Sequence, residues 1–163
     1  MLHKSNTFNN SKDITKNNNI KFSRYLFMRY MVALFFFSNI YWGLLLLLGN
    51  YYLILLPILL LVVFVRASYE QIKLYSALLV SLNATKNAFK SQIIVNILLI
   101  FICCSPFFTN LFPAFSGTLA SRIFIGLILL LGIGIGFLSL YKIKKIQNNT
   151  DKFYTKFNKI VDF

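Results

Sequence analysis

Acidic side chains are nearly missing from this sequence. Four Asp and Glu stand against 17 Lys and Arg in 163 residues. The four are Asp13, Glu70, Asp151 and Asp162, far apart along the chain. Paired-carboxylate acid–base chemistry and oxygen cages for hard cations therefore lack their parts. The one histidine, His3, sits in a polar tail, away from anything it could activate. The two cysteines, Cys103 and Cys104, are adjacent, and a zinc site or a disulfide framework needs a larger, spaced set. The phosphate-loop, dinucleotide and zinc-protease patterns GxxxxGK[ST], GxGxxG and HExxH do not occur. The expectation is a protein that is not an enzyme, with no catalytic, cofactor-binding or metal-ligating residue and no cofactor. Charged residues of both signs make up 13% of the chain, against about a quarter in soluble domains.

What fills the chain instead is hydrocarbon. Hydrophobic residues are 58% of the sequence. Between Tyr30 and Val65 there are 36 positions without a charge, about twice the ~20 residues that cross a bilayer as a helix. That run must contain a turn. Gly49-Asn50 is the stronger signal, since both residue types tolerate left-handed backbone angles, and Gly43 is the weaker. The first predicted span is then Phe27–Leu48 and the second Tyr51–Ala67, with Pro57 expected to kink the second. Tyr51 and Tyr52 beside the turn suit the aromatic belt at a lipid–water boundary.

Residues 66–90 place Ile72, Tyr75, Leu78, Leu79 and Leu82 at spacings of three and four, with Arg66, Lys73, Lys86 and Lys90 between them. This reads as an amphipathic continuation of the second span on the membrane surface, with Asn83–Asn87 as the turn back. The third span is predicted over Ser91–Phe107, followed by an uncharged connection, Ser105–Ser121, lying in the interface. The fourth, Ile123–Tyr141, is bracketed by Arg122 and Lys142.

The fold class is therefore all-α: an integral membrane protein of four transmembrane helices, arranged as two hairpins with cytoplasmic amphipathic segments. Residues 1–20 read as a disordered cytoplasmic tail, 21–141 as the membrane domain, and 142–163 as a basic amphipathic tail. In that tail Phe153, Phe157, Ile160 and Val161 share one helical face, with Lys152, Lys156 and Lys159 on another. Residues 1–29 hold six Lys and Arg, 66–90 hold four, and the tail from Lys142 holds six; the exception is Arg122. With basic segments inside, both termini are cytoplasmic. Charge placed beside apolar runs points to anionic inner-leaflet lipids, not to nucleic acid. The Asn, Lys and Ile bias suggests a bacterial plasma membrane.

Few polar groups remain inside the spans. Asn39, Asn96, Ser38 and Ser139 either line a solute path or hydrogen-bond to a neighbouring helix. An ion-coupled carrier needs an ionisable group within the membrane, and the apolar runs Tyr30–Val65, Ser91–Phe107 and Ile123–Tyr141 hold none. Gly132 and Gly136 form a GxxxG pair, the candidate helix-packing site. It serves either a second chain or the same bundle, and the general abundance of glycine in membrane helices favours the bundle. Cys103-Cys104 read as two small apolar residues, with no activating cation near them in sequence. The functional expectation is an accessory or immunity-type subunit of a transporter or cell-envelope complex, with a membrane-protein partner or a homo-oligomer. The alternative is a small pore-forming or holin-like oligomer.

Overall fold

A computed structural model describes residues 25–49, 51–76 and 82–148. Among them there is no strand, and four helices are long and apolar enough to cross a membrane. They are α1 (Tyr25–Leu46), α2 (Leu55–Ser76, preceded by a 3-10 turn at Tyr51–Ile54), α3 (Asn83–Cys103) and α5 (Leu119–Gln147). A short helix, α4 (Phe108–Leu111), lies between α3 and α5. At ~1.5 Å per residue the long helices measure roughly 32 to 44 Å, enough for a hydrocarbon core of ~30 Å. The chain is an all-α, multi-pass membrane protein.

The first turn follows from crowding. α1 ends in tightened bonds, with the amides of Leu47, Leu48 and Gly49 donating to the carbonyls three residues back. A Cβ on Gly49 would lie 2.6 Å from Pro113 Cβ, so no side chain fits there. Gly49 has no left-handed φ. Glycine is needed at this position for room, and the left-handed angle expected from the sequence is not used. Asn50, the other half of that turn signal, lies outside the described residues. Pro57, expected to kink the second span, occupies the first turn of α2, where amides have no partner within the helix, so its missing N–H removes little.

The second helix continues past Ala67 as expected, while the predicted turn back and the bounds of the third helix need correction. α2 runs unbroken through Arg66, Glu70 and Lys73 to Ser76, so ionisable groups do sit within a membrane-length helix. Asn83–Asn87 is not the turn back but the start of α3. α3 also stops at Cys103, four residues before its predicted end. α5 begins before Arg122 and continues past Tyr141 to Gln147, which carries Lys142, Lys144 and Lys145 on the helix and not in a separate tail. The two faces predicted for Phe153–Val161, and the tail 1–20, lie outside the described residues.

α3 is the centre of the bundle. Of its most apolar stretch 39% is buried, against 22% for each of the other long helices, and α2 and α5 both pack on it. Toward one end Phe35, Phe64 and Phe89 form a three-ring cluster with centroids 5.8 to 6.2 Å apart, joined by Met28, Val32 and Ile143. Toward the other end Phe108, Leu111 and Phe112 fold in against Leu99, Cys103, Ile125 and Leu129. The uncharged connection is thus a packed plug. Trp42 holds it, donating Nε1–H to the Leu111 carbonyl at 3.1 Å and stacking on Phe112. Trp42→Phe keeps the stack and leaves that carbonyl without its donor. The expected loss is about 1–2 kcal/mol, read from thermal or detergent unfolding followed by circular dichroism.

Eight of the nine described Lys and Arg lie in the half of the bundle that holds the N-terminus of α3. This is called the basic end below; Arg122 is alone at the far end.

Candidate functional site

Two sets of polar side chains organise the bundle, and α3 belongs to both. The first lies at its ends. Helix N-termini present amides that nothing in the helix can accept, with a partial positive charge. Glu70 of α2 answers this. Its Oε1 accepts from Ala84 N at 3.1 Å, and its Oε2 accepts from Thr85 N and from Thr85 Oγ1, both at 2.7 Å. Gln71 adds Nε2–H to Thr85 Oγ1 at 3.0 Å. At the other end Arg122 of α5 donates Nη1–H to the carbonyls of Cys103 and Ser105 at 3.3 and 3.2 Å, with Nε–H on Gly117 O. The guanidinium also sits 5.5 Å from the Phe108 ring centroid. A carboxylate at the N-terminus and a cation at the C-terminus both oppose the dipole of α3. The cation absent from the sequence neighbourhood of Cys103 is brought there by the fold, and it bonds the backbone oxygen.

The second set runs across the interior. Asn39 of α1 donates Nδ2–H to Phe35 O and to Gln92 Oε1, each at 2.8 Å. Gln92 in turn donates Nε2–H to Asn96 Oδ1 at 2.9 Å. The three amides are 2%, 6% and 4% exposed. Two of the polar residues singled out in the sequence, Asn39 and Asn96, are therefore joined through one that was not. Ser139 spends its hydroxyl on Ile135 O at 2.8 Å, one turn back, and Ser38 is exposed.

The role of Gln92 depends on where α3 starts. If the helix starts at Ser91, Gln92 is an end residue; once it starts at Asn83, Gln92 and Asn96 are four apart on one interior face.

The amide ladder floors a cleft of about 450 Å³ between α1, α3 and α5. Its walls include Leu34, Trp42, Leu45, Leu99, Leu129 and Leu131, and Phe112 and Phe115 stand at its far end. Gly132 is part of the lining. A Cβ there would stand 2.5 Å from Asn96 Nδ2, and one on Gly136 2.7 Å from Ile93 Cγ1. Both glycines face α3 of the same chain. Gly126 and Gly134 have nothing within 4 Å. Among the described residues no three His, Cys, Asp or Glu gather into a metal-binding group.

No family model matches the chain, and no curated protein or solved structure matches it.

Proposed function

We propose that this chain is a non-catalytic membrane subunit, an accessory or immunity-type component of a transporter or cell-envelope complex, which acts by contact with a partner inside the bilayer. The observation that supports this is the closure of the bundle at both ends. The bundle is filled by one aromatic cluster toward each end, and its amides are bonded to one another rather than ranged along a water path. Glu70 and Arg122 are engaged in holding α3, which leaves them to serve structure rather than proton or ion transfer. Gly132 and Gly136 are occupied within the chain, so the partner surface lies elsewhere. α5 offers one candidate outer face, where Leu127, Leu138 and Tyr141 are more than half exposed.

The location we propose is a bacterial plasma membrane with both termini in the cytoplasm. The basic end then meets the anionic inner leaflet, where each Lys or Arg near the surface contributes about 1 kcal/mol of attraction. Fusions of a cytoplasm-active reporter to either terminus should both be active. One silent terminus would reverse the orientation or change the number of spans. Affinity purification of the full chain from native membranes should bring down a membrane protein in fixed ratio, and induction of the chain alone should leave the membrane potential intact. Collapse of the potential on induction would instead favour the pore-forming oligomer, built between copies.

A further inference from the structure

We propose that the cleft between α1, α3 and α5 binds a neutral lipid carrying a free hydroxyl group, taken up sideways from the bilayer. The mouth residue Leu131 lies on the same face of α5 as Leu127 and Leu138, so a partner seated there would cover it. The test below uses the chain alone, and a failure to find a partner leaves the site standing.

The argument begins with two atoms. Asn39 Oδ1 and Asn96 Nδ2 take part in no hydrogen bond among the described residues; their side chains are more than nine-tenths buried and both line the cleft, where the two atoms keep some exposed surface. An amide buried in hydrocarbon with half of its bonding capacity unused is costly, and such groups ordinarily find a partner. One of these atoms is an acceptor and the other a donor. A carbonyl answers only the donor. A hydroxyl answers either, because it donates and accepts. The Ser38 hydroxyl, also in the lining, adds a further polar group at the cleft.

The walls decide the rest of the ligand. Among the described residues no Asp, Glu, Lys, Arg or His lines this cleft. A phosphate or ammonium headgroup placed here would lose its water and gain no counter-charge, so the ligand is neutral. The volume, about 450 Å³, falls in the ordinary range for small-molecule sites, and the apolar walls fit hydrocarbon.

Access decides where it comes from. At the far end Phe112 and Phe115 stand over the cleft, and Trp42 is tied to Leu111. At the basic end α1 and α5 meet, with Lys142 Nζ 4.0 Å from the Phe27 ring centroid. Between these closures the lining residues Leu34 of α1 and Ile128 and Leu131 of α5 are 43%, 48% and 68% exposed. In a membrane that side faces lipid.

The test uses the full chain in nanodiscs and a photoactivatable diacylglycerol as probe. The result expected is labelling of α1 and α5 peptides. Unlabelled diacylglycerol should compete at least tenfold better than the same lipid with its hydroxyl acetylated, or than phosphatidic acid of the same chains. Asn39→Leu and Asn96→Leu should each bring diacylglycerol and its acetylated form toward parity. Leu131→Trp, an exposed change at the mouth that leaves the amides untouched, should block labelling while circular dichroism stays normal. Equal competition by the acetylated lipid overturns the proposal, since the cleft then takes up any apolar filling. So does unchanged labelling of Leu131→Trp, which stays decisive if the asparagine variants do not fold. Disulfide-linked dimers of Ser38→Cys in place of lipid labelling would make the occupant a second copy of the chain, and would overturn it too.

Discussion

Glu70→Ala is expected to lower the stability of the whole bundle by about 2–4 kcal/mol, read from reversible unfolding in mixed micelles. The substitution removes three acceptor contacts at once, to Ala84 N, Thr85 N and Thr85 Oγ1. Loss of an N-cap alone costs about 0.5–2 kcal/mol, and hydrogen bonds to a charged group contribute about 1.5–3. The effect does not simply add, because the freed first turn of α3 can fray, and Thr85 Oγ1 keeps its bond from Gln71. Glu70→Gln separates charge from hydrogen bonding. Its one oxygen can still accept from Thr85 N, so it should recover about half of the loss. If Glu70→Gln is as damaging as Glu70→Ala, the charge opposing the dipole of α3 is the main term. If neither changes stability, α3 does not depend on this cap.

The same contact explains what could and could not be read from the sequence. Hydrophobic runs and their basic flanks are long-range averages, and four spans are legible from them. The start of α3 depends on something else. Asn83, Ala84, Thr85, Lys86 and Asn87 look like a turn because Asn and Thr compete with helical bonding in a helix interior. They are tolerable here because the acceptor for the first amides comes from another helix, thirteen residues upstream of Asn83. A one-residue-at-a-time propensity cannot see a cap supplied by tertiary structure. Glu70 was visible as the chain's single acid between Asp13 and Asp151, and that isolation was the signal.

Arg122 makes the parallel case. Among the described residues it is the one Lys or Arg away from the basic end. In the structure it closes the carbonyl end of α3 and rests on Phe108, so its position is set by what it binds. The lack of charge in the connection 105–121 suggests a segment lying in the interface and says nothing of its packing. Its apolar residues form the plug, and the tie from Trp42 comes from a residue 69 positions away. The amide ladder was half legible: Asn39 and Asn96 stood out as polar groups in apolar runs, while the bridge between them required the correct start of α3.

The second large effect is expected at Gly136, and it differs by position in a way that spacing alone does not give. Gly132 and Gly136 share a face because four residues advance ~6 Å along a helix and turn only slightly around it. Their neighbours are unlike. A Cβ on Gly136 meets Ile93 Cγ1 at 2.7 Å and Cδ1 at 3.0 Å. Ile93 is buried and β-branched, so it has little freedom to move away. Gly136→Ala should therefore cost about 1–3 kcal/mol, the ordinary range for overpacking. A Cβ on Gly132 meets the end of a side chain, Asn96 Nδ2 at 2.5 Å. That amide can turn aside if it gives up its bond with Gln92, worth ~0.6 kcal/mol for a typical polar contact in a membrane protein. Gly132→Ala should therefore be the milder change. Gly134 is the control, since nothing lies within 4 Å of a Cβ there. Gly134→Leu should leave unfolding within about 0.5 kcal/mol of the parent, as at other unconstrained surface sites. Gly132→Leu with Gly136→Leu should drive α3 and α5 apart and abolish detergent-stable folding, because lipid tails do not restore a close backbone contact. Equal damage from Gly134→Leu would mean that these glycines act through helix flexibility. A harmless Gly136→Ala would mean that α3 and α5 do not approach as closely as the Ile93 contact requires.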